Sequence, residues 1–142
     1  YAVVSGKCVV ALRLGTVAGP SPQMRWDLAF NAMSCDAHQK GVVTVYNPQA
    51  KRPWLWLPDC VDFLSSLSEK KPKAGIHYMW TGNTSFLEMG RLIAREWGVP
   101  LVVEKGHERT RYDFEVKRCC SRFHRVRSLD KCAKEMRKWL SA

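Results

Sequence analysis

Arg25, Asp27 and Asn31 stand at spacings of two and four just behind a loop marked by Gly15, Gly19, Pro20 and Pro22. Val9, Val10, Ala11 and Leu12 form a short apolar run that reads as a buried strand feeding that loop. A strand that opens into a glycine–proline loop is a common way to present polar groups at a pocket rim. Arg25 and Asp27 otherwise read as the exposed first turn of a helix, and Asn31 reads equally well as a surface amide. A second candidate lies at Thr81-Gly82-Asn83, where a strand over Gly75–Trp80 leads into a capping box of Ser85 and Glu88. Strand, glycine turn and helix together can hold phosphate at the helix N-terminus. A single glycine is weak support for that chemistry, and the unit reads as part of the fold.

Other chemistries find little in this sequence. The six cysteines (Cys8, Cys35, Cys60, Cys119, Cys120, Cys132) form no CxxC or Cys/His ligand pattern, which argues against zinc. Cys8, Cys60 and Cys132 sit among apolar neighbours and are expected to pack as small hydrophobes in a reducing compartment. Tyr1 and Lys7 do not make a YxxxK acid/base pair, since Lys7 falls two residues late. The net charge of +10, from 23 Lys+Arg against 13 Asp+Glu, favours a polyanionic neighbour. A generally basic proteome or organelle accounts for it equally. The densest basic region comprises Lys117, Arg118, Arg122, Arg125, Arg127, Lys131, Lys134, Arg137 and Lys138. RNA or another acidic surface could dock there, although a solvated face is the default for such a run.

These groups need a scaffold, and 142 residues suffice for one domain, 1–142. Trp26, Phe30, Met33 and Ala37 recur at helical steps up to Lys40, with Gly41 as the stop. Val42–Tyr46 reads as a strand closed by Asn47-Pro48. Pro58–Ser68 reads as a short helix with Val61, Leu64 and Leu67 on one face. Phe86, Met89, Ile93 and Trp97 form the buried stripe of the helix after Ser85, Gly98 ends it, and Val99–Val103 returns as a strand. Ser128 caps a last helix, with Leu129, Cys132, Ala133, Met136 and Leu140 facing one way. The pattern predicts an α/β fold of mostly parallel strands with flanking helices.

The wording of three segments is more specific than their periodicity. LRLGTVAGPSPQMRWDLAFN (12–31), KRPWLWLPD (51–59) and KGHERTRYDFEV (105–116) resemble, in order, LRxGTVYGPSPxMRxDLxxN, RP(W/Y)xHxxD and GHDRRYAID of the extended short-chain dehydrogenase/reductases. These belong to the NAD-dependent epimerase/dehydratase family, which acts on nucleotide sugars. The resemblance runs nearly end to end and covers the C-terminal portion of such an enzyme, its late sheet strands and substrate-binding lobe. It implies a partial Rossmann-like sheet, and substrate contacts from Asn31, Arg52 and Arg111. Arginine suits that role, because guanidinium offers a planar fork of donors to phosphate oxygens. Two departures stand out: Trp56 occupies the family's histidine position, and one residue is inserted before Arg111-Tyr112.

The GxxGxxG dinucleotide loop and the YxxxK pair are absent from this sequence. The resemblance then implies no catalytic residue and no cofactor on this chain, with NAD(P) bound only if a nucleotide-binding half completes it. Two functions are expected on these grounds. One is a non-catalytic structural subunit of a large, mitochondrial assembly, a ribosome or respiratory complex. The alternative is the substrate-binding half of a sugar-nucleotide epimerase or dehydratase whose cofactor half lies on another chain or upstream. Both expect protein partners over an exposed sheet edge, and the first adds RNA.

Overall fold

A computed structural model describes residues 9–67, 69, 74–104 and 126–142. Among the described residues, seven strands form three small sheets. β1 (Val10–Leu14) runs parallel to β5 (Gly75–Met79). β2 (Thr16–Ala18) runs parallel to β4 (Lys51–Trp56), and β4 pairs antiparallel with β6 (Gly82–Ser85). β3 (Val43–Tyr46) runs parallel to β7 (Leu101–Glu104). Helices α1 (Ala29–Lys40), α2 (Leu57–Ser66), α3 (Phe86–Trp97) and α4 (Leu129–Leu140) flank them. The fold is α/β with mostly parallel strands.

The tripeptide Trp54-Leu55-Trp56 shows how the strands feed two cores. Side chains alternate across a strand, so Trp54 and Trp56 face one way and Leu55 the other. The tryptophans join Phe30, Val45, Ile93 and Met136 where α1, α3 and α4 meet. Leu55 joins Cys60, Phe63 and Met79, where α2 packs beneath β1 and β5. Each large side chain so buried stabilises the fold by roughly 1.5–3 kcal/mol. α3 begins at the Ser85–Glu88 capping box, while α1 and α3 both stop at left-handed glycines, Gly41 and Gly98.

Several expectations from sequence are corrected here. β1 is not a buried strand, because Val9 and Leu14 are exposed. Trp26 is 47% exposed and precedes α1, which starts at Ala29 and buries Phe30, Met33 and Ala37 without it. Val61 and Leu64 face out from α2, whose buried residues are Asp59, Cys60 and Phe63. Asp59 is turned inward to meet a cation, and that contact sets the rotation of the helix. β4 and β6 are strands that the apolar pattern did not announce.

Candidate functional site

A cavity of about 340 Å³ opens between α1, β2, β3, β4 and the start of α3. The periodicities of these elements fill its walls. Ala29, Ala32, Met33 and Asp36 line it from one helical face, and Thr44 with Tyr46, and Arg52 with Trp54, from alternate strand positions. Its floor is apolar: the Phe30 ring stacks on Trp54 at 5.5 Å with 14° between planes. Arg52, Asp27, Asp36 and Tyr46 supply its polar groups. An apolar pocket with few placed polar groups, of this size, is the ordinary form of a small-molecule site.

The charges here are partly paired. Arg25 donates to both oxygens of Asp27, at 3.1 and 2.5 Å, which raises the Arg25 pKa and holds the Asp27 carboxyl below its usual value. Lys40 meets Asp36 at 2.8 Å, one helical turn on. The Tyr46 hydroxyl is made harder to ionise, chiefly by the Glu104 carboxylate.

Asn31 is 2% exposed. Its Oδ1 accepts from the Gly19 N–H at 3.0 Å and its Nδ2 donates to the Arg25 carbonyl at 2.9 Å. The amide therefore clasps both ends of the glycine–proline loop. A smaller cavity of about 190 Å³ lies between Asn31 and that loop. Arg52 lines the larger cavity instead, so the two expected contact residues stand at adjoining recesses. Arg111 lies outside the described residues, as do Lys117, Arg118, Arg122 and Arg125.

Arg127 departs from the basic patch in which the sequence placed it. Its guanidinium is mostly buried and pairs with Asp59, Asp62 and Glu135. On α4, Lys131 approaches Glu135 and Arg137 approaches Glu96, while Lys134 and Lys138 are exposed. Trp56 lines neither of these two cavities. It is fully buried, and its Nε1 donates to Glu135 at 2.8 Å. Sequence reasoning missed this network because it joins residues far apart in the chain. It missed Asp36 as a cavity residue too, although the seven-residue step from Ala29 to Asp36 puts both on one helical face.

The described residues do not fit a dinucleotide cofactor at the turn before α3. A Cβ at Gly82 would lie 2.9 Å from the Trp54 indole nitrogen, so tryptophan fills the space beside that turn. The first amides of α3 are already served: Phe86 and Leu87 donate to the Ala50 and Pro48 carbonyls, and Glu88 to the Ser85 hydroxyl. No group of three or more His, Cys, Asp or Glu side chains suited to a metal occurs among the described residues.

No family model matches this sequence, and no curated protein does. Solved structures do. A UDP-glucose 4-epimerase with UDP-glucose from Thermotoga maritima aligns over 99% of this chain and 48% of its own, with TM-score 0.78 and 15% identity. A UDP-N-acetylglucosamine 4-epimerase from Bacillus cereus aligns over 100% and 50%, with TM-score 0.74 and 16% identity. A dTDP-glucose 4,6-dehydratase from Bacillus anthracis, in complex with NAD, aligns over 99% and 46%, with TM-score 0.68 and 15% identity. This chain carries their fold over about half their length. That fold is α/β and partial Rossmann-like. No helix among the described residues is long and apolar enough to cross a membrane.

Proposed function

We propose that this chain is the substrate-binding half of an NAD-dependent sugar-nucleotide epimerase or dehydratase. The cofactor half would lie on another polypeptide or in a preceding region. The observation that carries this reading is the superposition of nearly the whole chain on about half of each such enzyme. Open apolar surface agrees with it. Parallel sheets are almost always covered on both faces. Leu12 and Met79 pack against the core beneath α2, whereas Val9, Ala11 and Ile76 share the other face of the β1–β5 pair and are exposed.

In this reading Arg52 takes the diphosphate and Phe30 with Trp54 keeps water from the cavity floor. Asn31 holds the glycine–proline loop in shape. The other half supplies the tyrosine, the lysine and NAD, which takes and returns hydride. A structural role in a mitochondrial ribosome or respiratory complex rests on charge and missing motifs alone, and stands second.

Sequencing the transcript upstream and identifying copurifying chains tests the choice. A GxxGxxG and YxxxK polypeptide that restores NAD-dependent turnover of a nucleotide sugar, lost on Arg52→Ala, is the expected result. Stoichiometric recovery with RNA or assembly subunits, and no such polypeptide, would reverse the order.

A further inference from the structure

We propose that Asp36 reads the base of the bound nucleotide, and that the cavity selects guanine over uracil or thymine. This rests on the reading that the cavity takes a nucleotide. Of the two carboxylates that line it, Asp27 has both oxygens engaged by Arg25. Asp36 is different. Among the described residues Lys40 meets one of its oxygens, Oδ1, and the side chain is largely withdrawn from water. It projects from α1 one turn beyond Ala32 and Met33, so its neighbours along that wall are apolar. A carboxylate with a remaining acceptor and apolar surroundings calls for a ligand that brings hydrogen-bond donors.

Tyr46 lines the same cavity. Carboxylate and half-exposed aromatic ring thus line one cavity, a pairing suited to a flat, donor-bearing ring. Arg52 lines the same cavity, where a guanidinium meets phosphate.

The bases differ in the edge they offer. Guanine presents N1–H and the N2 amine side by side, two donors that match the two oxygens of a carboxylate. Uracil and thymine present one N3–H between two carbonyl oxygens, whose lone pairs would face the carboxylate and be repelled. Cytosine and adenine offer an amine beside a ring acceptor, which gives an intermediate match. Lys40 balances the charge of the carboxylate from one side and leaves its second oxygen to accept.

The test is an NMR titration of this chain with GDP, UDP and dTDP at millimolar concentration. GDP is expected to bind about tenfold more tightly than UDP, the discrimination of one good bidentate contact. Asp36→Asn should bring GDP to parity with UDP, and Asp27→Asn should leave the preference in place. Equal binding of the three diphosphates, weakened together by Arg52→Ala, would overturn the role of Asp36 and leave the nucleotide reading standing. Tighter UDP than GDP would do the same. If no diphosphate binds, both fail.

Discussion

Arg127 reaches across 68 residues of sequence to Asp59, a carboxylate with no solvent exposure. The guanidinium Nη1 donates to Asp59 Oδ1, while the Arg127 backbone N–H donates to Oδ2 at 3.1 Å and the Thr81 hydroxyl to the same oxygen at 2.9 Å. Glu135 on α4 then accepts from Arg127 Nε at 3.2 Å and from Trp56 Nε1 at 2.8 Å. Burial alone would lower the Arg127 pKa, but the bonds to Asp59 and Asp62 and the field of Glu135 raise it. Four parts of the fold, namely α2, β4, the turn at Thr81 and α4, are tied at one point.

Removing the guanidinium strands Asp59 in a dry place, whereas removing Asp59 leaves Arg127 with Asp62 and Glu135. Arg127→Ala is expected to cost about 3–5 kcal/mol, and Asp59→Ala less. The double variant should cost clearly less than the sum, because the two side chains share one interaction. Urea denaturation of the four proteins measures this, and strict additivity would show the pair to be uncoupled.

How legible was this in the sequence? Local signals were: Ser85 with Glu88, the stops at Gly41 and Gly98, and the α4 stripe of Cys132, Ala133 and Met136 all stand where spacing put them. What failed was long-range. The apolar residues Val61 and Leu64 suggested one face of α2, yet a buried Asp59 chose another because its cation waits at position 127. Trp26 matched the helical step but stands outside the helix, since the loop that Asn31 clasps ends there. The cavity drew on five elements, and no single stretch of sequence contains it. Arg52 reached it through family resemblance, not through periodicity.

Gly90 marks the closest approach of α3 to the sheet. A Cβ there would lie 2.4 Å from Val45 Cγ2 and 3.2 Å from Leu101 Cδ1. Alanine would improve helix propensity by roughly 1 kcal/mol, but overpacking against a buried strand costs about 1–3 kcal/mol. Gly90→Ala should therefore lower the urea midpoint. A raised midpoint would mean that α3 slides without strain.

The start of α3 carries a pH dependence. Glu88 accepts from the Ser85 backbone N–H at 3.0 Å and from its hydroxyl at 2.8 Å, and these bonds hold its carboxyl below its ordinary 4.5. A carboxyl depressed in the folded state contributes stability above its unfolded pKa, and that contribution is lost as pH falls through the folded value. Acidification below about 4.5 should thus erode this part of the stability, and Glu88→Gln should flatten the response. Ser85→Ala removes the cap itself, at about 1 kcal/mol. Thermal melts across that range check both.

Thiol accessibility separates the cysteines. Burial pushes the Cys132 thiol far up, with the carboxylates of Asp59 and Glu135 adding to it, and burial also raises Cys60. Cys35 is only half-buried. In native protein at mildly alkaline pH, an alkylating reagent should modify Cys35 quickly, and Cys60 and Cys132 at the rate of unfolding. Peptide mass spectrometry reads the order. Fast labelling of Cys132 would show that α4 opens independently of the Arg127 network.

The proposed reading leaves this chain with only part of the pocket. Arg52 lines the cavity beside Trp54, and one charge-assisted contact to phosphate is worth roughly 1.5–3 kcal/mol. A second from Arg111, by family resemblance, would be comparable. In the proposed reading the other half supplies one wall, so on this chain alone water enters, and at dielectrics near that of bulk each contact falls toward about 1 kcal/mol. Immobilising a ligand costs several kcal/mol, so two weakened contacts do not hold it firmly. This chain alone should bind UDP- or dTDP-sugars no better than at millimolar concentration, and its completed form much more tightly. Calorimetry on the chain alone decides the matter: micromolar binding that vanishes on Arg52→Ala would mean that the pocket is already whole.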